Sequence, residues 1–184
     1  MKRPVAVLLS ALVIFSACIV EAPTSEGTKA TAPKLPPAPP AEMRSGAQFG
    51  EALELSSVII NPSRGVTGEA VRVGARFHVI KPVPADYMVF VHVEDADGRS
   101  DRINVDHAPM RGQRTTSSLK AGEDFVDEFD IPIPPNMPVR GLTLILGFWD
   151  PKTDARLPIT NPDKVRTDGN NRLIVGAFPV VQPN

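Results

Sequence analysis

Apolar and polar residues alternate with a period of two along much of the chain after residue 52. The clearest case is 71–79, where odd positions are apolar and even positions are mostly polar. This period is typical of a β-strand that buries one face. Similar short apolar runs, separated by glycine, proline and Asx turns, predict five further strands, at 53–60, 87–93, 125–131, 142–149 and 172–181.

These runs predict an all-β domain of six or seven strands over residues 49–184. No window longer than a few residues has a helical period, and Asp97-Gly98 is a turn dipeptide that suits a hairpin. Short strands separated by turns are typical of an antiparallel β-sandwich. The pattern favours an immunoglobulin-like arrangement, with a jelly roll or a partly open barrel as the alternative.

The N-terminus has the pattern of a secretory signal. Three residues with two positive charges, Met1-Lys2-Arg3, precede an apolar run of 12 residues at 4–15. A permanent membrane-spanning helix needs about 20 apolar residues. The length and flanks of this run match the apolar region of a signal peptide, which we predict at residues 1–17.

The only cysteine, Cys18, directly follows Phe15-Ser16-Ala17. This arrangement resembles the lipobox of bacterial lipoproteins. The resemblance implies cleavage before Cys18, acylation of that residue with chains such as palmitate, and an extracytoplasmic protein anchored to a membrane. Ile19 stands where an aspartate would resemble an inner-membrane retention signal, which favours the outer membrane in a cell with two membranes. Plain secretion and an uncleaved anchor are the alternatives.

Residues 18–48 are predicted to be the lipid-bearing cysteine and a proline-rich linker. The chain has 20 prolines, and 34–40 reads Lys-Leu-Pro-Pro-Ala-Pro-Pro. Such a segment favours polyproline II, a semi-rigid spacer of about 3.1 Å per residue. A proline-rich ligand for an aromatic groove is the alternative.

Composition and charge exclude several classes of function. Without residues 1–17 the chain has 18 basic and 21 acidic residues, a net charge of −3, which offers nothing to nucleic acid. A single cysteine excludes a disulfide framework and a cysteine-based zinc site. The common nucleophile, phosphate-loop and metalloprotease motifs are absent from the sequence. We therefore expect no cofactor and no catalytic activity, although carboxylates from distant loops could still form a hydrolase.

Three polar residues are of types that can ligate a metal ion. His92 lies in a predicted strand, and Asp106-His107 follow the next loop. The pattern favours a histidine in the core or on a sheet face, held by one hydrogen bond. Convergence of His92, Asp106 and His107 on a metal is the alternative, because an aspartate can orient a ligating imidazole.

The only tryptophan, Trp149, ends the most hydrophobic predicted strand and is followed by Asp150 in a turn. Packing at the edge of the sandwich is the favoured interpretation. A flat indole can also stack on a sugar face, so a carbohydrate site at Trp149 and Asp150 is the alternative. The acidic segment 94–101 has its glycine too early for an EF-hand, which favours a solvated hairpin turn.

Several short motifs also occur in a fixed order, at 89–92, 106–109, 121–123, 147–150 with 156–157, and 171–172. In this order they resemble a loosely defined β-sandwich module of bacterial extracytoplasmic proteins, including the tails of membrane glycosyltransferases. The resemblance implies that His92 and Asp106-His107 belong to a shared structural core and brace the loop by a hydrogen bond. It implies no activity.

These observations together predict a lipid-anchored binding or assembly module of the cell envelope, without catalytic activity, that contacts protein or polysaccharide. One alternative is a carbohydrate-binding module using Trp149. The other is a hydrolase or metal-binding domain using His92, Asp106 and His107. The sequence leaves the oligomeric state open.

Overall fold

The structure, a computed structural model, describes residues 37–100 and 102–183, which form β-strands and short 3-10 turns but no α-helix. The strands are β1 (Met43–Phe49), β2 (Leu53–Asn61), β3 (Gly65–Val66), β4 (Ala70–Val79), β5 (Met88–Asp95), β6 (Ile103–Asn104), β7 (Asp124–Pro132), β8 (Gly141–Asp150), β9 (Ala155–Arg156) and β10 (Leu173–Val181). The predicted signal peptide and Cys18 lie outside the described residues. Within the described part, no helix has the length and apolar character needed to cross a membrane.

The strands form two sheets. The four-stranded sheet has the order β1-β2-β4-β7, and the six-stranded sheet has the order β3-β10-β8-β5-β6, with β9 paired to β8. Neighbours are antiparallel except for β3 and β10, which run parallel. One sheet curls into a half-barrel. The prediction of an all-β, antiparallel fold is confirmed, and the immunoglobulin-like arrangement stays a prediction.

The core lies between the two sheets. Phe49 and Phe77 of the four-stranded sheet each pack edge-on against Phe148 of the six-stranded sheet, with ring centroids 5.3 Å apart. In β4 the burial alternates along the strand, with the odd positions buried, which confirms the period of two seen in the sequence. In β5 Val89, Val91 and Val93 belong to this core. Phe90 and His92 therefore lie on the outer face of the six-stranded sheet.

The folded domain begins earlier than predicted. Strand β1 starts at Met43 and pairs with β2, so residues 43–48 belong to the sheet and not to the linker. The sequence concealed this strand because its pairing shifts register between Arg44 and Ala47, at a bulge where Gly46 has φ +76°. A glycine in this left-handed region interrupts the alternation by which a strand is recognised.

A candidate ligand-binding pocket

An open pocket of about 640 Å³ lies on the outer face of the six-stranded sheet. Strands β5 and β8 provide its floor, since Phe90 and His92 stand beside Trp149. The segment after β6 and the loops around β9 and before β10 provide its walls. The lining residues are Phe90, His92, Asp106, Trp149, Asp154, Arg156, Gly169, Asn170 and Asn171.

His92 presents an N–H group toward Asp106. The Arg102 Nη1 atom lies 3.3 Å from His92 Nδ1. Because a guanidinium group only donates, Nδ1 is the accepting nitrogen and the proton of the neutral ring is on Nε2. That Nε2 atom lies 4.0 Å from Asp106 Oδ1. Burial is the larger cause that lowers the pKa of His92 below its usual value, and the positive charge of Arg102 lowers it as well. Asp106 acts in the opposite direction but does not compensate, so the ring is neutral at pH 7.

The gap between His92 and Asp106 suits a bridging hydroxyl group. At 4.0 Å, Nε2 and Oδ1 are too far apart for a direct hydrogen bond. Asp106 Oδ1 is itself held in place by the N–H of Val91, which donates to it at 2.9 Å. A hydroxyl between the two atoms can accept from His92 and donate to Asp106 at the same time. The pair therefore favours a ligand group that is both donor and acceptor.

The ring of Phe90, which lies in the pocket floor beside Trp149, is covered on both faces. A Cβ atom on Gly147 would lie 2.4 Å from Phe90 Cζ, so the ring of Phe90 rests directly on the glycine. The guanidinium carbon of Arg156 lies 5.1 Å from the Phe90 ring centroid, and Arg156 Nη1 donates to the Asn170 carbonyl at 3.0 Å. Trp149 is consequently the floor ring available to a flat ligand. Its Nε1–H group is buried and has no hydrogen-bond partner within the described chain.

The structure brings some of the predicted site residues together and separates others. His92, Asp106 and Trp149 line the pocket. Asp150 does not, because its Oδ1 accepts the Lys152 N–H at 2.8 Å within the turn between β8 and β9. His107 also lies elsewhere, since successive side chains of an extended segment point in opposite directions.

His107 reaches the four-stranded sheet, where it forms a buried ion pair. Its Nε2 lies 2.8 Å from Asp127 Oδ2 and its Nδ1 lies 2.7 Å from the Val105 carbonyl oxygen. Both partners only accept, so both ring nitrogens carry protons and the imidazole is cationic. Burial lowers the pKa of His107, but the hydrogen bonds that the ring donates to Asp127 and to the Val105 carbonyl raise it by more, so the pKa lies above its ordinary value.

The three-residue metal site considered from the sequence is therefore not formed. His107 is engaged by Asp127, away from His92 and Asp106. Among residues 37–100 and 102–183 no group of three metal-ligating side chains is close enough to hold an ion. The acidic segment after β5 is a turn, in which the buried Asp95 carboxylate accepts the N–H groups of Asp97 and Arg99 at 3.0 Å each.

Sequence reasoning missed the walls of the pocket. Arg156 and Asn171 stand in motifs of the resemblance, but nothing in the sequence assigned them to the same site as Trp149. Asp154 and Asn171 both have φ near +57°, a conformation that asparagine and aspartate tolerate better than most residues. An Asx residue within a polar loop beside Trp149 was the one available signal.

Comparisons with known proteins give a fold but not a family. No family model and no curated protein matches this sequence. Among solved structures, the C-terminal domain of Wzt is similar with a TM-score of 0.51 and 16% identity, over 80% of this chain and 82% of that one. A Niemann-Pick type C2 protein from Japanese carpenter ant has a TM-score of 0.43 and 11% identity, over 77% and 98%. The similarity to the C-terminal domain of Wzt shows that the chain shares the fold of that domain.

Proposed function

We propose that this protein is a lipid-anchored, extracytoplasmic module of the cell envelope that binds a neutral polysaccharide without catalysis. The observation that carries the proposal is the position of Trp149 in the same open pocket as the His92 and Asp106 pair. Sugar binding needs a flat apolar ring beside a few oriented polar groups. Trp149 offers the ring, and the two polar side chains offer a donor and an acceptor to one hydroxyl.

The charges of the pocket favour a neutral ligand. Asp106 and Asp154 would repel an anion, while Arg156 and the nearby Arg102 would repel a cation. The positive and negative side chains thus offset one another. Hydroxyl groups of a neutral ligand can form hydrogen bonds with both the carboxylates and the guanidinium groups. Asn170 and Asn171 stand on the same wall, and amide side chains can donate and accept as hydroxyl groups require.

The surface favours polysaccharide over protein as the partner. A protein-binding site is expected to expose a contiguous apolar patch. Within the described chain the exposed large apolar side chains are Ile59 and Val126, which line one small concavity of the other sheet among mostly polar and charged residues and so form no extended apolar patch. The immunoglobulin-like form of the sandwich belongs to the same proposal, and it is supported by the packing of two antiparallel sheets across Phe77 and Phe148.

The anchor is tested by intact mass spectrometry of the protein purified from its native membrane. We expect a mature chain that begins at Cys18 and carries the mass of several acyl chains, because one chain alone binds a bilayer only marginally. An unmodified chain cut at another residue would contradict the anchor and leave a secreted protein.

The pocket is tested by replacing its ring. We expect Trp149→Ala to weaken binding of a neutral envelope polysaccharide about tenfold, a loss of about 1.4 kcal/mol, because the stacking surface is removed. Calorimetric titration measures this affinity, and circular dichroism checks that the variant is folded. Trp149→Phe keeps a ring and should retain most of the binding.

Two comparisons make this experiment decisive. Val126 lies on the outer face of the other sheet, so the Val126→Ala variant should bind the polysaccharide as the unchanged protein does. A polysaccharide rich in uronic acids should bind more weakly than a neutral one. Equal affinities for Trp149→Ala and the unchanged protein, or a preference for the acidic polymer, would contradict the proposed site.

A further inference from the structure

A second groove, of about 390 Å³, lies between β1 and β10. Its apolar lining residues are Met43, Val165, Leu173, Ile174 and Val175. Leu173 belongs to the core, and Met43, Val165 and Val175 pack against it. Its polar lining residues come from β1 and from the segment between β9 and β10, and they are Arg44, Ser45, Asp163, Lys164 and Arg166. The groove is therefore amphipathic, with an apolar floor and charged residues around it.

The charge of this groove is positive. Arg44, Lys164 and Arg166 are exposed, and Asp163 is the one acidic residue that lines it. The ion pairs found among the described residues all use other cations. Three cations over an apolar floor complement an amphiphile with an anionic headgroup.

The position of the groove points to the source of that amphiphile. The chain enters the domain at Met43, so the proline-rich linker is joined to the groove's own border. Met43 is 25 positions after Cys18, so a linker with the polyproline II rise of about 3.1 Å per residue would reach about 78 Å. A tether of this length keeps the bilayer at a high effective concentration next to the groove.

We infer that this groove docks the domain onto an anionic phospholipid surface, with lipid phosphates against Arg44, Lys164 and Arg166. The inference rests on the lipid anchor proposed above, which keeps the bilayer within reach. The mature chain has a net charge of −3, so an anionic bilayer repels the rest of the surface and selects the orientation that presents the groove. Arg166 and Leu173, which line the groove, stand on either side of a loop. That loop contains Asn170 and Asn171, which line the polysaccharide pocket. Docking therefore fixes the direction in which that pocket faces.

The test uses the mature protein, reconstituted by its own anchor into nanodiscs. One set of discs contains only phosphatidylcholine, and the other contains 30% phosphatidylglycerol. Hydrogen exchange of residues 163–175 is followed in both sets. We expect slower exchange only in the anionic discs, and we expect high salt to remove the difference because the attraction is electrostatic.

Charge reversal identifies the cations that contribute. Lys164→Glu and Arg166→Glu should each lower the docking equilibrium constant at least about fivefold, the effect expected for one basic residue near an anionic surface. Lys120→Glu, which makes the same charge change in an exposed loop outside the groove, should leave docking unchanged. Equal exchange in the two kinds of disc, or equal effects of Lys120→Glu and Arg166→Glu, would overturn the inference.

Failure of the anchor gives a different result. A chain without acyl groups would not enter the discs, which contradicts the proposed anchor but leaves the groove to be tested by itself. The full chain in neutral detergent is then titrated with soluble dihexanoyl phosphatidylglycerol, with inorganic phosphate as the comparison. Saturable shifts in the NMR signals of 163–175 with the lipid support the groove. Their absence, or an equal response to phosphate, overturns it as a phospholipid site.

Discussion

Replacement of Asp127 by alanine is expected to lower the free energy of unfolding by about 3–5 kcal/mol. The Asp127 side chain has no exposed surface, and its two oxygens accept from His107 Nε2 at 2.8 Å and from the Met110 N–H at 2.7 Å. Without the carboxylate, a half-buried imidazolium and a backbone N–H both lose their acceptor. Urea denaturation at pH 6 measures the loss.

The next residue provides the control. Glu128 points to the opposite face of β7 and pairs with Arg111 across the surface, with about half of each side chain exposed. Such pairs contribute at most about 1 kcal/mol, so Glu128→Ala should be nearly neutral. Similar losses in the two variants would mean that the buried pair does not stabilise the fold.

The same ion pair makes stability depend on pH. Because the pKa of His107 is raised in the folded protein, its contribution is complete below the pKa of an unfolded histidine, about 6.5, and is lost as the pH rises through the folded value. The lowered pKa of His92 acts in the opposite direction, since its contribution is present above about 6.5 and is lost on acidification. The stability difference between the unchanged protein and His107→Gln isolates the first effect, and it should shrink as the pH rises above 6.5. A difference that grows with pH would contradict the cationic assignment.

Truncation of Phe77 is expected to cost about 3–5 kcal/mol, the range for a large aromatic residue in a core. Phe77 is fully buried in β4, stacks on Phe125 at 5.1 Å and meets Phe148 of the other sheet edge-on. Phe77→Ala therefore removes a contact within one sheet and the contact between the sheets. Thermal and urea unfolding both report the loss.

Val126 gives the matched comparison for this experiment. It lies beside Phe125 on β7 but faces outward, and 41% of it is exposed. Val126→Ala should change the unfolding free energy by no more than about 0.5 kcal/mol. If Phe77→Ala were equally mild, the aromatic cluster between the sheets would not be the centre of the core.

The sequence was sufficient to locate the long strands, because burial on one face imposes a period of two. Strand β4, predicted at 71–79, is observed at Ala70–Val79, and 142–149 is observed as the central strand β8. The two-residue strands β3, β6 and β9 were missed, since two residues cannot display a period. Strand β1 was missed because its bulge at Gly46 interrupts the alternation.

The pocket was predicted only in part, for a related reason. Trp149 and His92 drew notice because they are rare residue types within strong strand patterns. The pairing of β5 with β8, which places them on one face, is a long-range contact that no local pattern encodes. The direction of His107 depends on a similar contact, with Asp127, twenty residues away. Sequence patterns identified individual residues, whereas the register between strands decided which of them meet.

Strand β1 is the first strand of the described chain, so under the proposed membrane anchor any mechanical load from the preceding residues enters the fold there. The strand is secured on two sides. β2 pairs with it along one edge, and on the other Asn161 receives the Gln48 N–H on its Oδ1 at 2.9 Å and donates its amide to the Gly46 carbonyl at 2.8 Å. A pulling force at Met43 first meets the pairs that Met43 and Arg44 form with β2. From Gly46 to Gln48 the strand is held on both edges, so further peeling has to break both sets of hydrogen bonds. Residues more than a hundred positions apart in sequence therefore share a load applied to the start of the fold.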